Sequence, residues 1–393
     1  MNRLIKLTII SPLVFLAACV LPSPTQLAET PATAIETAAS TSEAPDPSAT
    51  VEDATATATS PPTLSADAAR SNDYQFMQRP GGDAIRVMSY NVNWDSIFPD
   101  DDPNNHDFRE FDRAEAFVRV MRAVQPDIVC LQEINYLRSS EDLGEFLTQV
   151  MGSAEDEIWQ AANVRDNVIA TQFELIEEGY ELAEGSVRAN LPQAAALIDL
   201  PDEQFGDSDL NLICAHFKAG GQYGDILQRA NQADAIMAYV RDFRTPGGEL
   251  DLDPGSPFVI LGDFNVYETD PHLQLQTLVS GDISNEDRYG EDLQPDWDET
   301  PLEDVVPSHN GLGDEFYTWR NDAEPFNPGA LDRIIYSDSV LNVVNAFVLN
   351  TMMLSDRALA ALGLQADDVL LDAESGYYDH LPIVVDFVIT DFP

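Results

Sequence analysis

The stretch "FVILGDFNV", at residues 258–266, opens with four bulky apolar residues and closes on a carboxylate, Asp263, and an amide, Asn265. Short apolar runs bounded by glycine and polar residues are typical of buried β-strands. Near the C-terminus, "YYDHLPIVVDF" at residues 377–387 has the opposite order, with an acid and His380 before the apolar run. A polar turn at a strand end would account for either stretch alone. A functional site can be inferred only if further strand ends carry residues of matching chemistry.

Four more strand-like runs carry a chemically capable residue at one end. Taken singly, each is weak evidence, since such a residue is usually a turn or a helix cap. Strand ends that converge on one rim of a layered fold, however, are where sites are built. The four runs are "IRVMSYN" ending at Asn91, "DIVCLQE" ending at Glu133, "LNLICAH" ending at His216 and "LDRIIY", which carries Asp332 at its start.

Helical spacing appears in two segments between these runs. Apolar residues recur three or four positions apart at residues 111–124 and again at 226–243, with charged residues between them. Residues 186–200 and 210–217, in contrast, read as one strand following another. This mixture predicts an α/β fold with mixed, largely antiparallel sheets.

The residue types at the strand ends fit the hydrolysis of phosphate esters. Asparagine and carboxylate oxygens are hard ligands that suit Mg²⁺, Mn²⁺ or Ca²⁺. Cysteine is absent from the set, which argues against a structural zinc site. Two histidines among carboxylates suit proton transfer near neutral pH, and a divalent ion can polarise a phosphoryl oxygen.

In their order along the chain, "SYNVNW", "LQEI", "AHFKAGG", "GDFNV", "LDRIIY" and "YYDHLPIV" resemble the motifs of the endonuclease/exonuclease/phosphatase superfamily. This superfamily has the fold of deoxyribonuclease I, and the resemblance spans about residues 85–387. It implies a four-layered α/β sandwich, in which two packed, mixed, mainly antiparallel sheets are flanked by helices. It also implies a divalent-metal-dependent hydrolase of phosphate ester bonds, with Mg²⁺ as the expected ion and Mn²⁺ or Ca²⁺ as alternatives.

The resemblance also implies a role for each residue of the set. Glu133 is expected to be the main metal ligand and Asp379 a second carboxylate at the metal, with Asn91 beside them in the metal or phosphate shell. The implied catalytic residues are the acid that orients water, Asp263, the phosphate-binding amide Asn265, the catalytic histidine His380, its positioning acid Asp332 and a second histidine, His216.

The expected substrate is a phosphate ester, with a nucleic acid or nucleotide as the first expectation. His216 matches a histidine of the deoxyribonuclease, inositol-phosphatase and sphingomyelinase branches, but the sequence does not identify the acid that should partner it. A sphingomyelinase-like or inositol-phosphate phosphatase activity is therefore the alternative. A non-catalytic surface binding protein on the same fold is an alternative of another class. In "RDNVIAT", Arg165 is interpreted as an exposed residue, with a contact to phosphate as the alternative.

The net charge limits the class of partner. The chain has 393 residues, and its 20 Lys+Arg against 69 Asp+Glu give a formal charge of −49. A chain this acidic is repelled by polyanions unless cations intervene. The charge therefore argues against a general nucleic-acid-coating protein, but not against an enzyme that meets phosphate through a bound metal. No protein partner is inferred.

The N-terminal part has the pattern of an exported lipoprotein. Residues 1–19 combine two basic residues and a short apolar segment with Leu-Ala-Ala-Cys at the end, which predicts a lipoprotein signal peptide and a lipid anchor at Cys19. An ordinary signal peptide with a chance cysteine is the alternative. Residues 20–78, rich in Ala, Thr, Ser and Pro, are expected to be a disordered linker, and residues 79–393 the folded domain. We thus expect a membrane-anchored protein outside the cytoplasm.

The remaining two cysteines and three histidines are given no catalytic role. Cys130 and Cys214 lie in apolar runs and are interpreted as free core thiols, with one disulfide as the alternative in an exported protein. His106, His272 and His309 are expected at the surface.

Overall fold

The strand-like and helix-like segments form two β-sheets with helices on their outer faces. The predicted signal peptide, Cys19 and most of the predicted linker lie outside the described residues, as do His106 and His272. The last five linker residues, 74–78, are described, and the side chain of Met77 is buried in the core. The computed structural model describes residues 74–98, 112–152, 158–176, 187, 191–267, 273–321, 327–370 and 379–392.

The first sheet has six strands in the order β11-β12-β1-β2-β4-β3. Its strands β1 and β2 are parallel, and its other neighbouring strands are antiparallel. The strands are β1 (Ala84–Asn91), β2 (Ile128–Gln132), β3 (Gln160–Val164), β4 (Asn167–Thr171), β11 (Leu341–Val348) and β12 (Ile383–Ile389).

The second sheet also has six strands, in the order β5-β6-β7-β8-β10-β9. Here β7 and β8 are parallel, and the other neighbours are antiparallel. The strands are β5 (Glu174–Leu175), β6 (Ala194–Asp199), β7 (Leu210–His216), β8 (Phe258–Asp263), β9 (Glu303–Val305) and β10 (Asp332–Tyr336).

The helices connect these strands and cover the sheets. A parallel pair of strands needs a long crossover, which α1 supplies between β1 and β2 and α4 supplies between β7 and β8. The helices are α1 (Ala114–Val124), α2 (Ser140–Met151), α3 (Asp202–Phe205), α4 (Tyr223–Arg244), α5 (Leu273–Ser280), α6 (Glu286–Tyr289) and α7 (Asp356–Leu362), with 3-10 turns at Gln75–Met77 and Thr351–Met353.

Two apolar cores arise from the alternation of side chains along each strand. In β1, Ile85 and Val87 belong to the core that also contains residues of the second sheet and of α4. Met88 and Tyr90 point to the other face, into a core shared with α1 and α2. The layers are thus helix, sheet, sheet and helix, and the predicted α/β sandwich with mixed sheets is confirmed.

The expectation of free core thiols is wrong. Cys130 on β2 and Cys214 on β7 form a disulfide, with their Cα atoms 5.4 Å apart. Both residues are fully buried, because they point from facing strands into the core between the two sheets. The bond therefore joins the first sheet to the second. Local sequence could not show it, since the partners are 84 positions apart.

The expectation of a surface position for His309 is also wrong, because its side chain is fully buried. Its Nε2 lies 2.7 Å from the carbonyl oxygen of Tyr317, and its Nδ1 lies 3.2 Å from the amide nitrogen of Asn350. A nitrogen facing a carbonyl must donate, whereas a nitrogen facing an amide NH₂ must accept. The buried ring is therefore neutral, and burial lowers its pKa below the ordinary value.

Candidate active site

The strand register brings the predicted site residues to one rim of the sandwich. His216 and Asp263 are register partners at the carboxyl ends of the parallel strands β7 and β8. Asp332 opens the antiparallel strand β10 directly opposite Asp263. His380, just before β12, forms a β-bridge with Trp319, in which the N–H of Leu381 donates to the carbonyl oxygen of Thr318. Residues distant in sequence are thus adjacent because their strands start or end at the same edge.

Gly262 allows the parallel strands β7 and β8 to approach each other closely. Its φ angle is +139°, and a Cβ atom at this position would lie 1.9 Å from the carbonyl oxygen of Ala215 on β7. No side chain fits there without moving the backbone. The glycine before Asp263 in the quoted stretch is therefore required by the packing of β8 against β7.

His380 pairs with Asp332 and not with its sequence neighbour Asp379. Its Nδ1 lies 2.7 Å from Asp332 Oδ2, and both side chains are buried. The backbone N–H of Asp332 donates to Thr318 Oγ1 at 2.9 Å, which fixes the start of β10. This arrangement holds the imidazole in one orientation and leaves its Nε2 directed at Asp263 Oδ2, 3.5 Å away.

Nearby carboxylates keep His380 protonated. Burial alone would lower its pKa, but the charges of Asp332, Asp263 and Asp379 outweigh it and raise the pKa well above the ordinary value. The imidazolium is therefore present at neutral pH. It can donate a proton from Nε2 to an oxygen bound beside Asp263.

His216 has an acid partner, Asp166, that the sequence did not reveal. Its Nδ1 lies 2.6 Å from Asp166 Oδ2, while its Nε2 lies 3.8 Å from Asp263 and 3.9 Å from Glu133. Burial lowers the pKa of His216, but the hydrogen bond with Asp166 and the charges of Asp263 and Glu133 raise it to about 9. The site thus contains two histidine–aspartate pairs.

Asp166 occupies the turn between β3 and β4. Because β4 runs antiparallel to β2, its start lies beside the end of β2, and the N–H of Ile134 donates to the carbonyl oxygen of Asp166 at 3.2 Å. In the sequence, only the position of Asp166 in a short turn between two strands could have pointed to this role. It became meaningful only once the pairing of β2 with β4 was known.

Asp263 lies at the centre of the group. Its Oδ1 accepts the backbone N–H of Asn265 at 2.9 Å, and its Oδ2 accepts the side-chain amides of Asn265 and Asn91 at 3.1 and 3.2 Å. The Nε2 atoms of His216 and His380 are directed at the same Oδ2. One buried carboxylate oxygen thus faces four nitrogen donors. These donors hold the carboxylate in one orientation.

Asn91 presents its nitrogen to the site. Its Oδ1 accepts the backbone N–H of Asn93 at 3.0 Å, and a backbone N–H can only donate, which fixes the amide orientation. Its Nδ2 therefore donates to Glu133 Oε1 at 3.1 Å as well as to Asp263. In this orientation Asn91 positions two carboxylates, and direct metal ligation through oxygen would require the amide to rotate.

Glu133 follows β2 in a left-handed backbone conformation, with a φ angle of 63°. Its carboxylate accepts hydrogen bonds from Asn91 and from the backbone N–H of Trp94, the latter at 3.0 Å. Burial raises its pKa; His216 and Asn91 oppose this effect, and the charge of Asp379 adds to it. Adjacent residues of one turn contact both predicted metal carboxylates, since Trp94 donates to Glu133 and Asn93 donates to Asp379.

Asp379 is held between two side chains. Its Oδ2 accepts from Asn93 Nδ2 at 2.8 Å, and its Oδ1 accepts from Trp319 Nε1 at 3.2 Å. Asn93 and Trp319 were not among the predicted site residues, because neither forms a motif with the acid in sequence. Both help to fix the carboxylate at the rim.

Two neighbouring sets of donors fit a divalent ion. Asp263, Asp332 and His380 have possible ligand atoms within 4.8 Å of one another. In that set, however, His380 Nδ1 and Asp332 Oδ2 already hold each other, so the imidazole is available only through Nε2. Glu133 and Asp379 offer oxygens alone, and neither forms an ion pair with a lysine or arginine among the residues that the structure describes. Clustered oxygen donors that no lysine or arginine neutralises are a fitting place for a hard cation.

The sequence of the chain matches one family of known proteins. Residues 88–356 match the sequence model of the Endonuclease/Exonuclease/phosphatase family. No functionally curated protein matches the chain significantly in sequence.

Similar solved structures include the human Nocturnin catalytic domain with bound sulfate anion, at 17% identity and a TM-score of 0.44, covering 78% of this chain and 95% of that chain. An endonuclease/exonuclease/phosphatase from Beutenbergia cavernae DSM 12333 has 17% identity and a TM-score of 0.44, covering 79% of this chain and 73% of that chain. The endonuclease/exonuclease/phosphatase from Bacteroides vulgatus has 14% identity and a TM-score of 0.46, covering 78% of this chain and 99% of that chain. Because the family match extends over more than half of its length, the chain belongs to the Endonuclease/Exonuclease/phosphatase family.

Proposed function

We propose that the protein is a divalent-metal-dependent phosphoesterase that hydrolyses phosphodiester bonds in a nuclease-like manner. Members of its family are generally phosphoester hydrolases and act on phosphate-ester substrates such as nucleic acids. The observation that carries the proposal is the convergence of two histidines and two carboxamides on Asp263 Oδ2. A binding protein would have no need for two histidines, each oriented by its own aspartate.

Asp263 is the proposed general base. Its oxygens are held by Asn265 and Asn91, so the carboxylate is oriented before a water molecule arrives. A water oxygen that attacks phosphorus transfers its proton to this carboxylate, while the bond from phosphorus to the leaving oxygen breaks.

His380 is the proposed donor to the phosphate or to the leaving oxygen. Its imidazolium is maintained by Asp332, and its Nε2 points to the same place as the base. His216, oriented by Asp166, stabilises negative charge from the other side. His380 is buried and His216 is largely shielded from solvent, and shielded charges act more strongly than exposed ones.

Glu133 and Asp379 are the proposed ligands of the divalent ion, with Mg²⁺ as the expected ion because both offer hard oxygens, and Mn²⁺ or Ca²⁺ as alternatives. When bound, the ion supplies positive charge to the phosphoryl oxygens. Asn91 keeps Glu133 in place by donating to Oε1.

Export with a lipid anchor at Cys19 is part of the proposal. The Cys130–Cys214 disulfide supports it, since structural disulfides persist mainly in oxidising compartments. Among the described residues, no helix combines the length and the apolar character that crossing a membrane requires. We expect palmitate labelling of the full chain to be lost in Cys19→Ser, and labelling that persists in this variant would contradict the anchor.

A substrate panel tests the catalytic proposal. Single-stranded and duplex DNA, RNA, bis-p-nitrophenyl phosphate, sphingomyelin and inositol phosphates are each incubated with Mg²⁺, Mn²⁺, Ca²⁺ or EDTA. His380→Ala should lower the hydrolysis rate by roughly 100- to 10,000-fold, the range expected for a lost general acid. Asp391→Asn, which removes an exposed carboxylate beyond the end of β12, is the control and should retain full activity.

Each outcome of the panel has a distinct meaning. Activity that survives EDTA would refute the metal dependence. Cleavage of sphingomyelin or inositol phosphates alone would favour the alternative substrates. If wild type cleaves none of the substrates with any ion, the chain is better described as a binding protein on this fold.

A further inference from the structure

A cavity of about 580 Å³ opens beside the catalytic residues. This volume is typical of sites for small organic groups. Two of its lining residues, Glu133 and Asp166, also belong to the proposed active site, so the cavity is continuous with the place where phosphate would be cleaved. The other lining residues are Trp94, Ile134, Tyr136 and Arg165.

The cavity exposes two large aromatic side chains. Trp94 is 52% exposed and Tyr136 is 60% exposed, although the fold buries most of its other large apolar residues. Aromatic rings left open to solvent beside polar catalytic groups are typical of ligand-binding surfaces.

Trp94 is fixed relative to the catalytic carboxylate. It lies in a turn in which Asn93, Trp94 and Asp95 all have positive φ angles, a conformation that residues other than glycine rarely adopt. The turn is held because the N–H of Trp94 donates to Glu133 Oε2 and the N–H of Asp95 donates to the Glu133 carbonyl oxygen. The Asp95 side chain is further bound by Arg138. The indole is thus attached to a rigid part of the site.

Arg165 supplies an exposed positive charge at the same cavity. It sits in the turn between β3 and β4, next to Asp166, with a φ angle of 58°. In the described part of the chain, its guanidinium forms no hydrogen bond or ion pair. The guanidinium is therefore available to an anionic ligand.

We propose that this cavity binds the nucleobase next to the scissile phosphate, stacked against Trp94 and Tyr136, with Arg165 contacting the neighbouring phosphate. The inference rests on the proposed phosphodiesterase function and narrows its substrate class to single-stranded nucleic acid. In a duplex, a base is stacked and paired, and it would have to leave the helix to enter the cavity.

Ring stacking and phosphate contact favour a nucleobase over an aliphatic chain. Every nucleobase has a flat π-face, and stacking on aromatic side chains contributes strongly to the binding of single strands. An acyl chain would gain only from apolar area and carries no charge that could meet Arg165. The exposed cation beside two exposed rings matches the alternation of base and phosphate in a nucleic acid strand.

Equilibrium binding tests this proposal without relying on turnover. The full chain carrying His380→Ala is titrated with a fluorescent single-stranded oligodeoxynucleotide and with the same backbone in which tetrahydrofuran units replace the nucleosides. We expect the strand with bases to bind about 10-fold or more tightly than the strand without them. Adding Trp94→Ala or Tyr136→Ala should reduce this ratio towards one and leave the affinity for the baseless strand unchanged.

Matched variants separate the loss of base stacking from general damage to the protein. Leu137→Ala removes an apolar side chain that is 72% exposed, next to Tyr136 but outside the cavity lining, and should preserve the ratio. Trp94→Phe should restore most of it, because phenylalanine also stacks. Arg165→Gln should weaken both strands equally and reduce the slope of log affinity against log salt by about 0.7, the value for one phosphate contact on a single strand. Arg288→Gln, at an exposed site on α6, should leave that slope unchanged.

Equal affinity for the two strands would overturn the inference, as would a base preference that survives in Trp94→Ala. If the wild-type protein cleaves phosphodiesters but shows no base preference, the cavity proposal alone fails. If it neither cleaves nor binds any strand, the proposed function fails with it.

Discussion

Removing the Cys130–Cys214 disulfide should destabilise the protein by about 4 to 5 kcal/mol. The bond closes a loop of 84 positions, and the chain-entropy relation for a loop of this length gives about 4.6 kcal/mol at 25 °C. A change of this size is a large fraction of the total stability of a typical protein, which is about 5–15 kcal/mol.

Urea unfolding, followed by tryptophan fluorescence, measures the effect. The full chain with Cys19→Ala is compared with and without the further pair Cys130→Ala and Cys214→Ala, and each is unfolded with and without a reductant. The reductant should lower the midpoint of the first protein towards that of the second. It should not change the midpoint of the variant that lacks both cysteines, which is the control for general effects of the reductant.

A thiol count decides the matter independently of stability. When the Cys19→Ala protein is unfolded without reductant, a thiol reagent should find no free cysteine, because the sequence contains only three cysteines. Two reactive thiols, or a midpoint that the reductant does not move, would refute the disulfide. Such a result would also remove its support for an oxidising compartment.

Two further predictions concern the metal and the buried imidazole. Glu133→Gln should raise both the Mg²⁺ concentration for half-maximal activity and the Mg²⁺ dissociation constant measured by calorimetry by roughly 100-fold. His216→Ala should change both quantities by much less. The reverse order would contradict the assignment of Glu133 as a metal ligand. The pKa of His309 is lowered in the folded protein, so the unfolded state takes up a proton first as pH falls below about 6.5, and stability is lost from there down to the folded pKa. The difference in unfolding free energy between wild type and His309→Gln should therefore shrink between pH 7 and pH 5, and a constant difference would show that His309 is not buried neutral.

The sequence predicted which residues would lie together where a residue sits at the end of an apolar run. Asp263, His216 and Glu133 each follow such a run, and the structure brings them to one rim because the carboxyl ends of β2, β7 and β8 meet there. Asp332 Oδ2 lies 2.7 Å from His380 Nδ1. The resemblance to the family implied this pairing, whereas the spacing of 48 positions between the two residues does not predict it. Short apolar runs with defined ends are a local property, which is why they can be recognised in sequence.

Asp166, Trp94 and the disulfide could not be predicted in this way. Asp166 partners His216 only because β4 pairs antiparallel with β2 and places the β3–β4 turn beside Glu133. The exposure of Trp94 depends on a left-handed turn held by Glu133, which lies 39 positions further along the chain.

The chain by itself thus determined its acidity, its strand-end motifs and the order in which they appear, since each depends on neighbouring residues. Tertiary structure decided which aspartate holds which histidine, which way the Asn91 amide points, and that Cys130 meets Cys214. These are contacts between strands of different hairpins and different sheets. Their geometry follows from sheet register and from the packing of one sheet on the other, and neither is encoded in any single segment of the sequence.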